Sequence, residues 1–137
     1  PPRSTRYATL VPYTALFRSV LVSFRPSATS AAALVQQIAQ RWQVTPQSNR
    51  VGLRLAGEVP LDRAITGELP SEGTALGALQ VPPSGQPVLF LADHPLTGGY
   101  PVIACVAPHH LDRAGQIPVS AWVRFNPIRP FEAINRP

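Results

Sequence analysis

The residues best suited to chemistry lie in one stretch, between residues 66 and 101. It holds carboxylates, an amide and an imidazole: Glu68, Glu72, Asp93, Gln80 and His94. The adjacent Asp93 and His94 could exchange protons with a substrate or orient it. Glu68 and Glu72 could act as a carboxylate pair if they converge. An Asp-His dipeptide also often opens a turn, so spacing alone leaves the catalytic and the structural interpretation open.

Short apolar runs bounded by Gly and Pro surround these side chains and predict buried strands joined by tight loops. In the run Val51–Ala56, apolar residues alternate with Gly52 and Arg54, the period of a half-buried strand. Arg54 would bind a carboxylate or phosphate if its face lined a cavity. Further strands are predicted at Ala75–Val81, Pro87–Ala92, Val102–Ala107 and Trp122–Ile128. The pair Gly98–Gly99 indicates a positive φ or the close approach of a ligand.

Two helical segments are predicted. The longer one covers Ala31–Trp42, where Leu34, Ile38 and Trp42 form an apolar stripe that is typical of core packing. Thr29 or Ser30 could cap it, and the pattern ends before Thr45-Pro46 because a residue that precedes proline avoids the α region. The shorter one, one or two turns, lies between residues 109 and 116.

The composition excludes several classes of chemistry. All 12 cationic residues are arginines, so the chain has no Schiff-base lysine, no phosphate-loop lysine and no biotinyl-lysine. From residue 20 onward nine arginines face seven acidic residues, a mixed balance that argues against nucleic-acid binding. No apolar run has the length of a membrane span, so no membrane partner is expected.

Cysteine and histidine usage favours structural roles. The one cysteine, Cys105, lies inside an apolar run, which predicts a buried, inert thiol and fits a reducing, cytoplasmic location. The adjacent His109 and His110 lack the i, i+4 spacing of helical metal ligands and have no cysteine nearby. No metal site is therefore expected, and both imidazoles are predicted to be exposed to solvent.

Residues 1–19 differ from the rest of the chain. They have no clear period and no acidic residue, and residues 9–19 resemble one translated frame of a common sequencing adapter. We interpret this segment as non-native or as an irregular leader and leave it out of the fold prediction, which covers residues 20–137.

Two runs carry a resemblance to a known family: P-Q-S-N-R-V-G-L-R-L, and G-E-L-P-S-E-G-T-A-L-G-A-L-Q-V-P-P-S-G-Q-P-V-L-F-L-A-D-H-P-L-T-G-G-Y-P-V-I-A. Residues 30–125 resemble, nearly continuously, the C-terminal part of the biotin-dependent carboxyltransferase family, which includes the C subunit of 5-oxoprolinase. The resemblance implies a mainly β fold with one or two helices, a cyclophilin-like β-barrel. Because the family's N-terminal half has no counterpart here, an incomplete barrel is expected, with Val88, Phe90 and Val102 exposed.

The same resemblance implies a function. The implied protein is a component similar to the C subunit of an ATP-dependent 5-oxoprolinase, an enzyme that converts 5-oxoproline to glutamate. A component of a related urea or allophanate amidohydrolase is the other form of this implication. The expected partners are the A and B subunits of 5-oxoprolinase and a small anionic substrate, with ATP on a partner subunit and biotin implied by the family name only. Two alternatives remain open: a non-catalytic regulatory protein that antagonises a kinase inhibitor, and an inactive gene fragment.

Site residues carry over position by position. The resemblance implies catalytic roles for Asp93, His94 and Glu72. The implied substrate-binding set comprises Ser48, Asn49, Arg50, Arg54, Gln80, Gly98, Gly99 and Tyr100. The family's D-x-x-x-x-G-G motif corresponds here to the run from Asp93 to Gly99.

Overall fold

The computed structural model describes residues 17–24, 38–62 and 69–130. The strands in this part of the chain are β1 (Phe17–Phe24), β2 (Trp42–Val44), β3 (Gly52–Gly57), β4 (Glu72–Gly73), β5 (Ala78–Gln80), β6 (Val88–Phe90), β7 (Thr97–Gly98), β8 (Val102–Val106) and β9 (Trp122–Pro130). A 3₁₀ turn at Pro108–His110 leads into the short helix α1 (Leu111–Gly115). The five predicted strands are all present, and the helical turns before residue 116 are confirmed.

Seven strands form a closed barrel in the order β1-β8-β5-β6-β3-β2-β9. The neighbouring pairs are antiparallel, except that β9 pairs with β1 in parallel and so closes the ring. Strands β4 and β7 form a separate two-stranded ribbon. The mainly β fold is confirmed and is consistent with a cyclophilin-like barrel. The expected incompleteness is wrong, because β1 supplies the backbone partner that β9 needs.

The N-terminal segment contributes to this closure. Residues 17–19, which belong to the segment interpreted as non-native or irregular, are the first residues of β1 and lie opposite residues 122–124 of β9. Residues 1–16 lie outside the described residues. Whether the segment is native stays a prediction.

Apolar side chains at alternate positions of the strands fill the interior of the barrel. In β3, Leu53 and Leu55 are buried while Arg54 is exposed, as the period-two pattern predicts. The largest side chains with almost no exposure are those of Trp42, Phe125, Leu55, Leu79 and Leu89. Burying an aliphatic or aromatic side chain of this size stabilises the fold by about 1.5–3 kcal/mol.

A second, smaller apolar cluster lies on the outer face of β5 and β6. It consists of Ala78, Val88 and Phe90, with the half-buried Val102 packed against it. The expected exposure of Val88 and Phe90 is wrong, since both are buried. The turn after β6 folds back over the sheet, and the His94 ring stacks on Phe90 with 5.9 Å between ring centroids.

The longer predicted helix is wrong at its last residue, Trp42. The residue does not end a helix but begins β2, where it pairs with Gly57 and Val123. The apolar stripe is correct as a core prediction, because Ile38 and Trp42 are both buried. The barrel offers the backbone of residues 42–44 partners on both sides, and this tertiary pairing overrides the helical periodicity. The predicted helical residues 31–37 lie outside the described residues.

His110 is not simply a solvent-exposed histidine. Its Nδ1 accepts a hydrogen bond from the Leu21 backbone N–H of β1, with 3.0 Å between the nitrogens. Ala107 donates its N–H to the Leu21 carbonyl at 2.9 Å. The segment before α1 therefore holds the middle of β1 from both its donor and its acceptor side. His109 is exposed, as predicted, and its ring lies edge-on to His110 at 4.7 Å.

Two kinds of feature are absent from the described part of the chain. Within residues 17–24, 38–62 and 69–130, no helix is long and apolar enough to cross a membrane. In the same ranges, no group of three or more His, Cys, Asp or Glu side chains is arranged to hold a metal ion.

The His110 contact predicts that the stability of the folded protein depends on pH. Burial, followed by the nearby charges of Arg113 and His109, lowers the pKa of His110 in the folded protein. The folded state then binds fewer protons than the unfolded state, so this contribution to stability is complete above the ordinary pKa of about 6.5 and is lost as the pH falls below it. We expect the midpoint of thermal unfolding to fall between about pH 7.5 and 5.

The matched variant is His110→Asn, whose side-chain oxygen can still accept from Leu21 but does not titrate. The melting temperature of each protein is measured as a function of pH. Subtracting the variant's values from those of the wild type removes the contributions of the other histidines to the pH dependence of stability. A difference that stays flat across this pH range would contradict the prediction.

Candidate functional site

The loop between β2 and β3 contains the first three predicted site residues, and two of them hold the loop itself. The Asn49 side-chain oxygen accepts the Val51 N–H at 2.9 Å, and the Ser48 hydroxyl accepts the Arg54 N–H at 2.9 Å. Such side-chain caps fix a turn just before a strand. Ser48 and Asn49 therefore shape the loop that presents Arg50.

Arg50 and Asp93 join this loop to the turn after β6. The Arg50 Nε lies 3.1 Å from the Asp93 carboxylate, and the Asp93 N–H donates to the Arg50 carbonyl at 3.1 Å. Their side chains are 88 % and 52 % exposed. A pair this open to solvent contributes about 0–1 kcal/mol to stability. Its main effect is to orient the two side chains, and the Arg50 Nη groups remain outside this ion pair.

His94 is positioned by residues that the sequence did not single out. Its Nδ1 lies 2.9 Å from the Thr74 hydroxyl and 2.8 Å from the Pro95 carbonyl oxygen. The same hydroxyl also contacts the Pro95 oxygen. With Phe90 stacked against the ring, the imidazole is fixed on one edge and on one face. No local pattern links Thr74 to His94, because that contact forms only where β4 meets β7, whereas Phe90 reaches His94 through the turn that directly follows β6.

Gln80 lies beneath the ribbon. Its side chain is only 8 % exposed, and among the described residues it is the one polar side chain classed with the core. Strand β7 crosses it at Gly98, where an added Cβ would lie 2.8 Å from the Gln80 Nε2. Positive φ values occur at Gly77 and Gly85 but not at Gly98, so the close approach, and not the backbone conformation, explains this glycine.

The remaining predicted residues follow the same ribbon. Glu72 is exposed and pairs with Gly98 across the two strands. The Gly99 carbonyl accepts the Leu69 N–H at 2.7 Å, and Tyr100 is half-buried. Glu68 lies outside the described residues.

Two groups of predicted residues therefore form. The loop group comprises Ser48, Asn49, Arg50, Asp93 and His94, and the ribbon group comprises Glu72, Gln80, Gly98, Gly99 and Tyr100. Arg54 belongs with the ribbon group, because it lies opposite Val88 on β6, which in turn lies opposite Gln80 on β5.

A cavity of about 380 Å³ opens beside the loop group. Its lining is mostly apolar and includes charged groups at Arg50 and Asp112: Arg50, Leu76, Leu91, Ala92, Leu111, Asp112, Gly115 and Gln116. The volume suits a small ligand. Much of the lining comes from α1 and the residue that follows it, and nothing in the sequence pattern indicated that this helix shares a cavity with Arg50.

Cys105 stands apart from both groups. It is half-buried rather than fully buried, with its Sγ 3.8 Å from the Leu76 carbonyl oxygen. Burial raises the pKa of its thiol, with a smaller opposing effect from a hydrogen bond to the Val106 backbone. The thiol therefore stays protonated at neutral pH, and a protonated thiol is a poor nucleophile.

Known proteins share this chain's sequence and fold. It is 43 % identical over 84 residues to the C subunit of 5-oxoprolinase from Escherichia coli (strain K12). These aligned residues make up 61 % of this chain and 27 % of that protein. It is 36 % identical over 92 residues to the C subunit of 5-oxoprolinase from Haemophilus influenzae, 67 % of this chain and 29 % of that protein. The chain thus spans less than a third of these relatives.

A solved structure shares the fold. The crystal structure of Kluyveromyces lactis urea carboxylase is similar over 82 % of this chain and 11 % of that one, with a TM-score of 0.72 and 25 % identity. The family profile described as carboxyltransferase domain, subdomain A and B, matches residues 4–127. The chain therefore belongs to the family of carboxyltransferase domains with subdomains A and B.

Proposed function

We propose that this chain is part of a protein similar to the C subunit of an ATP-dependent 5-oxoprolinase. That enzyme opens the lactam ring of 5-oxoproline to give glutamate. The observation that carries the proposal is the 43 % identity to a protein named as the C subunit of 5-oxoprolinase. The name of that relative implies an assembly of several subunits. In our proposal the partners are the A and B subunits, and ATP binds to a partner subunit.

The two groups of site residues suit this chemistry. Water must add to the lactam carbonyl, the carbonyl oxygen must be stabilised as it gains negative charge, and the leaving nitrogen must receive a proton. The exposed guanidiniums of Arg50 and Arg54 supply positive charge for an anionic substrate. Asp93, His94 and Glu72 are the candidate proton carriers.

His94 can take part in proton transfer through one nitrogen only. Its Nδ1 faces the Thr74 hydroxyl and the Pro95 carbonyl oxygen. A carbonyl oxygen has no proton to give, so the neutral ring is consistent with a proton on Nδ1 that is donated to it. Nε2 is then the nitrogen with a free electron pair, and we assign it the exchange of protons.

The first test is a chimera. The matching segment of the Escherichia coli C subunit is replaced by the corresponding residues of this chain, and the product is mixed with the A and B subunits, 5-oxoproline and ATP. We expect glutamate and ADP to form together. The chain of residues 1–137 with the same partners should form neither product, because it spans less than a third of the relative.

A chimera that folds and assembles with both partners but leaves 5-oxoproline and ATP unchanged would refute the enzymatic proposal. That result would favour the alternative, a non-catalytic regulatory protein.

The second test separates site residues from structural ones. In the chimera, Asp93→Ala should abolish glutamate formation and change the free energy of unfolding by less than about 1 kcal/mol, because the Arg50–Asp93 pair is exposed. Cys105→Ala should keep the activity and cost about 1 kcal/mol through a small cavity. Rates of glutamate release and urea unfolding curves check both variants. The reverse pattern would move the active site away from the turn after β6.

A further inference from the structure

The cavity beside α1 is lined mostly by residues that the proposed function does not use. Its volume is about 380 Å³, and residues before β5, after β6 and in α1 contribute to its walls. Four of these lining residues are apolar: Leu76, Leu91, Ala92 and Leu111. A concave, mainly apolar surface of this size with a few charged groups is typical of a site for a small molecule.

Two opposite charges line the same cavity from different elements. Arg50 belongs to the loop after β2, and Asp112 belongs to α1. Both are exposed, and Arg50 forms its ion pair with Asp93, not with Asp112. Within the described residues, the Asp112 side chain forms no hydrogen bond and no ion pair. The cavity therefore presents a cation and an anion that do not neutralise each other.

A ligand that carries both charges matches this arrangement. A guanidinium binds a carboxylate with two parallel hydrogen bonds, and the Arg50 Nη groups are outside the Asp93 pair. The Asp112 carboxylate attracts an ammonium group. A ligand with one charge would leave the opposing charge of the lining unmatched. 5-Oxoproline is such a ligand, because it has a carboxylate but its ring nitrogen is an uncharged amide.

We propose that this cavity binds an α-amino acid with an apolar side chain. Arg50 binds its carboxylate, Asp112 binds its ammonium group, and its side chain lies against Leu76 and Leu91. The assignment goes beyond the proposed function and does not depend on it, because no step of lactam opening uses Asp112 or the apolar wall.

L-Leucine and three analogues, each lacking one feature, test the assignment. 4-Methylpentanoate has no ammonium group, 3-methylbutylamine has no carboxylate, and L-alanine keeps both charges with a much smaller side chain. Their dissociation constants for the chain of residues 1–137 are measured by ligand-observed NMR titration at about pH 7 and low salt, because salt screens exposed charges. Leucine should bind at least about tenfold more tightly than each analogue.

The charge variants should each lose one preference. Asp112→Asn keeps the shape of the side chain, so it should lose the preference for leucine over 4-methylpentanoate and keep the preference over 3-methylbutylamine. Arg50→Gln should do the opposite. Melting curves of both variants check that the barrel remains folded.

Glu58→Gln is the control for the charge of Asp112. Glu58 is exposed and lies outside the cavity lining, and its substitution removes the same single negative charge. It should leave the affinity for leucine within about twofold of that of the unmodified chain. If Glu58→Gln weakens leucine binding as much as Asp112→Asn does, the effect comes from the net charge of the protein and the assignment is wrong.

Leu76→Ser tests the apolar wall. Leu76 is 42 % exposed and lines the cavity, whereas Val119 is 45 % exposed and does not, so Val119→Ser is the matched control. Leu76→Ser should lower the preference for leucine over alanine at least about threefold, while Val119→Ser leaves it unchanged. Equal effects of the two variants would contradict a contact between Leu76 and the ligand.

Two further results would overturn the proposal. One is the absence of saturable leucine binding below about 10 mM. The other is equal affinity for leucine and 4-methylpentanoate, which would show that the cavity binds an apolar anion without using Asp112. Neither result bears on glutamate formation by the chimera, and a chimera that forms no glutamate leaves the amino-acid site standing.

Discussion

The parallel ladder between β1 and β9 is the interaction on which the barrel depends. It joins residues about a hundred positions apart and is the one parallel pair in the described barrel. Pro127 lies within it opposite Val22, although proline has no N–H to donate. This is possible because β2 pairs only with residues 122 and 123 of β9, so the later residues need a partner on one side only. The segment before α1 adds the His110–Leu21 contact to the same strand.

Local patterns predict the strands well and their partners not at all. Alternation in residues 51–56 specifies which side chains of β3 enter the core, because period two is a property of the strand itself. Ring closure involves a contact between distant segments, and no property of residues 17–24 or 122–130 alone encodes it. Trp42 shows the same limit. The spacing of its apolar neighbours fits a helix, but the backbone partners at Gly57 and Val123 decide its conformation.

The site divides in the same way. Asp93 and Arg50 are predictable because family motifs and turn signals mark the ends of strands, and the structure pairs them. Thr74 is not, because its contact with His94 arises from a two-residue strand pairing that leaves no periodic signal. The sequence marks Gln80 as an amide near other polar groups, but its substrate-binding role comes from the resemblance alone. Its burial and the crossing of Gly98 above it give that residue a physical meaning that neither its type nor its neighbours in sequence indicate.

The ribbon of β4 and β7 has an energetic consequence of its own. Two residue pairs join its strands, with one backbone hydrogen bond on either side, from Leu69 to Gly99 and from Thr74 to Leu96, and it belongs to a sheet separate from the barrel. Segments with so few backbone contacts open locally at a free energy well below that of global unfolding. We therefore expect the ribbon to open locally while the seven-stranded ring stays intact. Exposure of the Gln80 side chain and the stability of the fold would then follow two separate equilibria.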